Sequence, residues 1–164
     1  MISKIRCYVN ETCLLNMYHS FVQSHINYNI LNWTCTNPSF IKPIETKVKK
    51  AIRIISFAKT KYDHTLPLFK HHKILPLYDM IEFKKASFMW KISNGHVPPS
   101  INNLFTVNLF DPQKFNLPHP RIEHDKILLG YSCVKTWNAI PTNFKNLSFK
   151  TFTKKYKEYL INNI

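Results

Sequence analysis

From Thr12 to Ile41 the chain carries no Asp, Glu, Lys or Arg, yet its apolar positions keep a helical period. Placed at about 100° per residue, the segment 14–33 puts Leu14, Leu15, Met17, Tyr18, Phe21, Val22, His25, Ile26, Tyr28 and Trp33 on one broad arc. Asn16, Ser20, Gln23 and Asn27 line the opposite stripe. The spacing predicts one amphipathic helix packed on two neighbours, with a narrow wet edge. Asn37-Pro38-Ser39 breaks the pattern. Ile41, Ile44, Val48, Ile52 and Ile55 then recur at three, four, four and three, predicting a second helix with Pro43 confined to its first turn.

Thr65 to Pro76 reads as a short helix and a turn, and a third long helix follows from Leu77 to Asn94 with Gly95 as its C′ residue. Leu77, Ile81, Phe88 and Ile92 share one face of that helix, while Phe83 and Trp90 lie on the other. A helix apolar on several sides belongs inside a larger body, which suggests packing partners upstream of this sequence. Pro98-Pro99 opens an irregular stretch with short strand-like pieces, Phe105 to Phe110 alternating weakly and further short strands or irregular structure reaching Tyr131. Ser132 to Ile140 reads as a short helix stopped by Pro141. Ser148 caps a last helix, whose aromatic stripe of Phe149, Phe152, Tyr156, Tyr159 and Leu160 opposes Lys150, Lys154 and Lys157. The expected fold is therefore mainly α. A helical region covers 1–97, a loop-rich segment 98–147, and a terminal amphipathic helix 148–164.

Composition changes this picture in one respect. At 164 residues with 45% hydrophobic side chains the chain can bury a real core. Against nine acids, however, stand 23 basic residues, for a formal charge of +14. Two origins account for that excess. A polyanionic partner is one. The other is AT-rich codon usage, since Lys, Asn and Ile are abundant together and only Arg6, Arg53 and Arg121 are arginines. The uncharged stretch 12–41 holds too many Asn, Ser, His and Gln residues to sit in hydrocarbon, so no membrane partner is expected. Cys7, Cys13, Cys35 and Cys133 form no C-x-x-C pair and no zinc-ligand spacing, and no apolar signal segment precedes them. Buried thiols in an intracellular compartment, nucleus or cytoplasm, are the expectation.

A catalytic centre is harder to find. Two-metal chemistry needs clustered carboxylates, and no D-D or D-x-D pair occurs. Glu123-His124-Asp125 reads as local charge balance rather than a metal site. Adjacent His71 and His72, with His64 nearby, would point about 100° apart on a helix and chelate one ion poorly. With two glycines in all, a glycine-rich phosphate cradle is excluded. What remains is lysine interleaved with aromatics on several helices, suited to salt-sensitive, sequence-independent phosphate contact. So few arginines argue against base-specific readout.

Three blocks carry a family resemblance. The first runs Lys4-Ile5-Arg6 through Tyr18, Ser20-Phe21-Val22 and Ser24-His25-Ile26-Asn27-Tyr28 to Trp33. The second is Pro43-Ile44 and Lys50-Ala51-Ile52-Arg53-Ile54-Ile55, then His64-Thr65, Pro67-Leu68-Phe69 and Ile74-Leu75-Pro76-Leu77. The third is Leu117-Pro118, Arg121, Gly130-Tyr131-Ser132 and Trp137-Asn138-Ala139-Ile140-Pro141. In order and spacing they resemble the thumb and post-thumb region of reverse transcriptases from non-LTR (LINE-type, jockey-like) retrotransposons. The resemblance implies a thumb-like helical domain that grips a primer–template RNA/DNA duplex. Its backbone contacts would be Lys42, Lys47, Lys49, Lys50 and Arg53. It also implies a chain that is no enzyme alone and has no cofactor of its own, Mg²⁺ belonging only to the full-length parent. Truncated copying of such elements leaves chains that begin after the palm. Two further readings stay open: a subunit completing a palm-bearing polymerase fragment in trans, and a non-functional relic. Asn29 and Thr34 depart from the pattern, standing where similar sequences carry glycine, and the zinc knuckle of some relatives is missing.

Overall fold

Asn10 sets the start of the first long rod. Its side chain accepts the Cys13 amide at 2.9 Å, and Glu11 follows it in the first turn, where a negative charge favours the helix dipole. The computed structural model describes residues 2–58, 60 and 63–164. A short helix α1 (Ile2–Ile5) precedes this rod, which runs through α2 (Glu11–Met17), a π turn (Tyr18–Gln23) and α3 (Ser24–Asn27). Leu14 and Tyr18 are fully buried. The π turn alters the rotational phase, so the arc and stripe expected from a uniform period do not persist. Phe21 is 55% and Tyr28 81% exposed, while Gln23 turns inward to donate to Met80 Sδ at 3.8 Å.

The expected single helix over 14–33 is corrected here. Tyr28 is extended, Asn29 is left-handed (φ 49°), and α4 (Ile30–Trp33) starts afresh. Asparagine tolerates this conformation better than most residues with a Cβ. The Trp33 indole N–H ties the break together by donating to the carbonyls of Ile26 (3.3 Å) and Tyr28 (3.2 Å).

Asn37 accepts the Ser39 amide at 3.0 Å and Pro38 occupies the first helical position, so α5 spans Pro38–Ile55. Pro43 therefore lies inside the helix rather than in its first turn, a second correction. Both Pro43 and Ser39 are exposed, so the carbonyl left without an amide partner four residues back is open to water. Ile41, Val48, Ile52 and Ile55 are buried. Packing of α5 on α1, α2 and α6 (Leu66–His71) builds one core cluster around Leu14, Tyr18, Ile52, Ile55 and Phe69.

The larger cluster surrounds α7 (Leu77–Ser93), which ends as expected, with Gly95 left-handed (φ 69°). Its apolar residues on several sides meet α4, α9 (Leu129–Ala139) and α11 (Phe149–Asn162) of this same chain. Ile26 and Ile44 pack against both clusters and join them.

The irregular segment holds α8 (Pro99–Asn102), a 3₁₀ turn (Glu123–Ile127) and α10 (Thr142–Lys145). The strand-like pieces expected here do not pair into a sheet. Among the described residues β pairing is the isolated Val107–Phe115 bridge. The α9 helix begins at Leu129, three residues earlier than its pattern suggested. Ser148 precedes α11 as expected, though its hydroxyl pairs with Thr151 Oγ1 at 2.9 Å rather than with a backbone amide. Phe152, Tyr156 and Leu160 are buried, and Phe149 and Tyr159 form a partly exposed rim.

Candidate nucleic-acid interface

The basic face of α5 divides by environment. Lys42, Lys47 and Lys50 are exposed, and no carboxylate lies within ion-pair distance of them among the described residues. Lys49 pairs one turn back with Glu45 at 2.5 Å, which cancels its charge locally. Arg53 is half-buried and its Nε donates to the Asp63 carbonyl at 3.0 Å, anchoring the connection into α6. The five residues named from the sequence thus share one helix, but three present free ammonium groups and two are engaged within the protein.

Lys47 and Lys50 also border a shallow groove of about 340 Å³ whose floor is Phe21, Val22, Ala51 and Ile54. The half-exposed Phe21 ring therefore lies beside two lysines. A cation next to an aromatic face is the combination that takes up nucleic-acid strands without sequence preference. More lysine lies on α11, where Lys150, Lys154 and Lys155 border a second shallow groove with Glu158.

The acids elsewhere serve the fold. Asp125 Oδ2 accepts the amides of Arg121 (2.9 Å) and Ile122 (3.3 Å), and Glu123 pairs with Lys126 at 2.5 Å. The Glu-His-Asp tripeptide is thus a turn-capping element. Glu82 Oε1 accepts the Tyr156 hydroxyl at 2.9 Å, and burial together with that carboxylate pushes the phenol well above its ordinary pKa.

The histidines gather differently from the expectation. His71 ends α6 and His72 caps it, so their rings meet edge to face at 4.8 Å, and Glu11 of α2 joins them. One ligating atom from each of the three lies within 4.8 Å of the others. Glu11 Oε1 and His72 Nε2 stand 3.3 Å apart, and Ser56 Oγ meets the same nitrogen at 2.7 Å. The sequence offered no sign of Glu11, sixty residues away in the chain.

Sequence reasoning also passed over Lys84 and Lys91. With Ser87 and Phe88 they follow an i, i+3, i+4, i+7 spacing on one face of α7, a signal present in the chain itself. The structure brings them to a cleft beside Asn27, Asn29 and Phe149. Among the described residues no helix is long and apolar enough to cross a membrane. No family model matches the chain, and neither a curated protein nor a solved structure matches it.

Proposed function

We propose that this chain is a thumb-like helical region of reverse-transcriptase type that holds the backbone of a primer–template RNA/DNA duplex without reading its sequence. Polymerisation would belong to a palm outside this sequence. The observation that carries the reading is the set of three exposed lysines on α5, free of carboxylate partners among the described residues, in a chain of net charge +14. Eight residues separate Lys42 from Lys50, so the ammonium groups are spread along about 12 Å of helix axis. Point charges at such spacing contact successive phosphates and release counterions.

The test is anisotropy of a labelled primer–template across a salt series. Binding should weaken steeply with salt. Replacing Lys42, Lys47 and Lys50 by Gln should flatten the log–log slope by about 2 to 3 units, while Lys49→Gln changes it little. A slope unmoved by the triple change overturns the assignment to α5. Failure to bind at about 50 mM salt, where phosphate contacts are strongest, favours the relic reading. Nucleotide incorporation that appears only on mixing with a palm-bearing polymerase fragment supports the trans-complementing reading. Incorporation by the purified chain with Mg²⁺ alone overturns the assignment of catalysis to a palm elsewhere.

A further inference from the structure

The α3–α4 break, α7 and the start of α11 enclose a cleft of about 510 Å³, within the range of small-molecule sites. Three sets of groups face it. The first is cationic: Lys84 and Lys91 stand one above the other on α7, and no carboxylate lies within ion-pair distance of either among the described residues. Burial, and then the charge of Lys91, press the Lys84 ammonium below its ordinary pKa. The second is aromatic. Phe83, Phe88 and Phe149 line the walls, and Lys91 Nζ lies 5.3 Å from the Phe149 ring centre.

The third set consists of acceptors. Ser87 Oγ donates its proton to the Phe83 carbonyl at 2.8 Å, and Thr153 Oγ1 donates to the Phe149 carbonyl at 2.9 Å. Toward the cleft these hydroxyls offer only lone pairs. Asn27 lines the same wall, but its Oδ1 is sealed from solvent and so is not one of the acceptors open to the cleft.

We propose that this cleft binds a phosphorylated nucleoside: an anion for Lys84 and Lys91, a flat ring for the phenylalanines, and exocyclic N–H groups for the hydroxyls of Ser87 and Thr153. Inorganic phosphate would satisfy only the lysines. A neutral nucleoside would leave them uncompensated. An aliphatic anion would leave the rings and the acceptors unused. The site is separate from the α5 lysines and does not depend on their role.

The test is calorimetric titration of the full chain with adenosine 5′-monophosphate, adenosine and inorganic phosphate as parallel probes. The monophosphate should bind at least about tenfold tighter than either of the others. Trp90 should report it by a fluorescence change, because its ring lies 5.1 Å from Phe149. Lys84→Gln and Lys91→Gln should each weaken that affinity about tenfold or more. Lys154→Gln, outside the cleft, should leave it unchanged, as should the triple Gln variant of α5. Melting temperatures matching the parent show that each variant is folded. Lys91 is exposed, so its variant carries the test should Lys84→Gln fail to fold. A short oligonucleotide bearing a terminal phosphate that competes with the monophosphate supports the site and identifies a strand end as a source of ligand. Equal affinity for phosphate and monophosphate, no heat at about 10 mM ligand, or full binding by Lys91→Gln would overturn the proposal.

Discussion

His72 illustrates how one buried side chain couples stability to pH. Its side chain is 3% exposed between Ser56 and Glu11. Burial pushes the imidazole below its ordinary pKa of 6.5; Glu11 opposes that shift and His71 adds to it. Because the folded value lies below the unfolded one, folding favours the neutral ring. This contribution is complete above about pH 6.5 and is lost as the pH falls through the folded pKa. Melting temperature should hold steady from about pH 8 to 7 and fall below about 6.5. In His72→Gln that fall should be shallower, and calorimetry across the same range checks it. A variant with the parental profile would assign the acid sensitivity to another group. Asn29 is a different case at the same scale. Its backbone is left-handed (φ 49°), a conformation asparagine tolerates better than most residues with a Cβ, and the residue lines the α7 cleft.

Among the elements, α9 shows how a helix holds an irregular segment. Asn138 acts as a substitute for a neighbouring strand: its Oδ1 accepts the Phe115 amide at 3.1 Å, and its Nδ2 donates to the Phe115 carbonyl at 2.8 Å. The Trp137 indole, next to Asn138 in the chain, and the Lys145 ammonium of α10 both donate to the Gln113 carbonyl at 3.1 Å. Asn138→Ala should therefore leave two backbone groups of the buried Phe115 unpaired and cost about 2 kcal/mol or more. Urea unfolding should show a lower midpoint with an unchanged slope. A cost below about 0.5 kcal/mol would mean that water replaces the amide. At Gln113 and Phe115, side chains of α9 and α10 rather than a strand partner satisfy backbone groups, so no strand period is needed there.

For the whole molecule the governing quantity is charge. Glu45, Asp111 and Glu123 are paired with nearby lysines, so most of the remaining positive charge repels itself across the surface. Raising NaCl from about 20 to about 300 mM should screen that repulsion and lift the melting temperature by a few degrees. The same salt should weaken nucleic-acid binding. Opposite responses of stability and affinity in one buffer series would separate self-repulsion from phosphate contact. A melting temperature that falls with salt would show that attractive ion pairs outweigh the repulsion.

The helices α5, α7 and α11 were legible in the chain. Ile41, Val48, Ile52 and Ile55, or Phe152, Tyr156 and Leu160, recur at a local period that backbone geometry imposes on any buried face. The left-handed Gly95 was legible too, since a cap acts within a few residues of itself, whereas Asn37 was read only as a break and its capping bond came from the structure. Phase and partnership were not. The π turn in the first rod and the break at Asn29 shift which residues face inward, and nothing in the local composition announces either. Of five basic residues on α5, the sequence could place all on one helix. That Lys49 is engaged was implicit in Glu45 one turn away, whereas the bond from Arg53 to Asp63 depends on how the chain returns. The meeting of Glu11 with His71 and His72, and of Lys84 and Lys91 with Asn27 and Phe149, required the packed molecule. Period and capping are short-range properties written residue by residue. Which charges are left free, and which clefts they line, follows from contacts between residues far apart in the chain, and those exist only once the helices have docked.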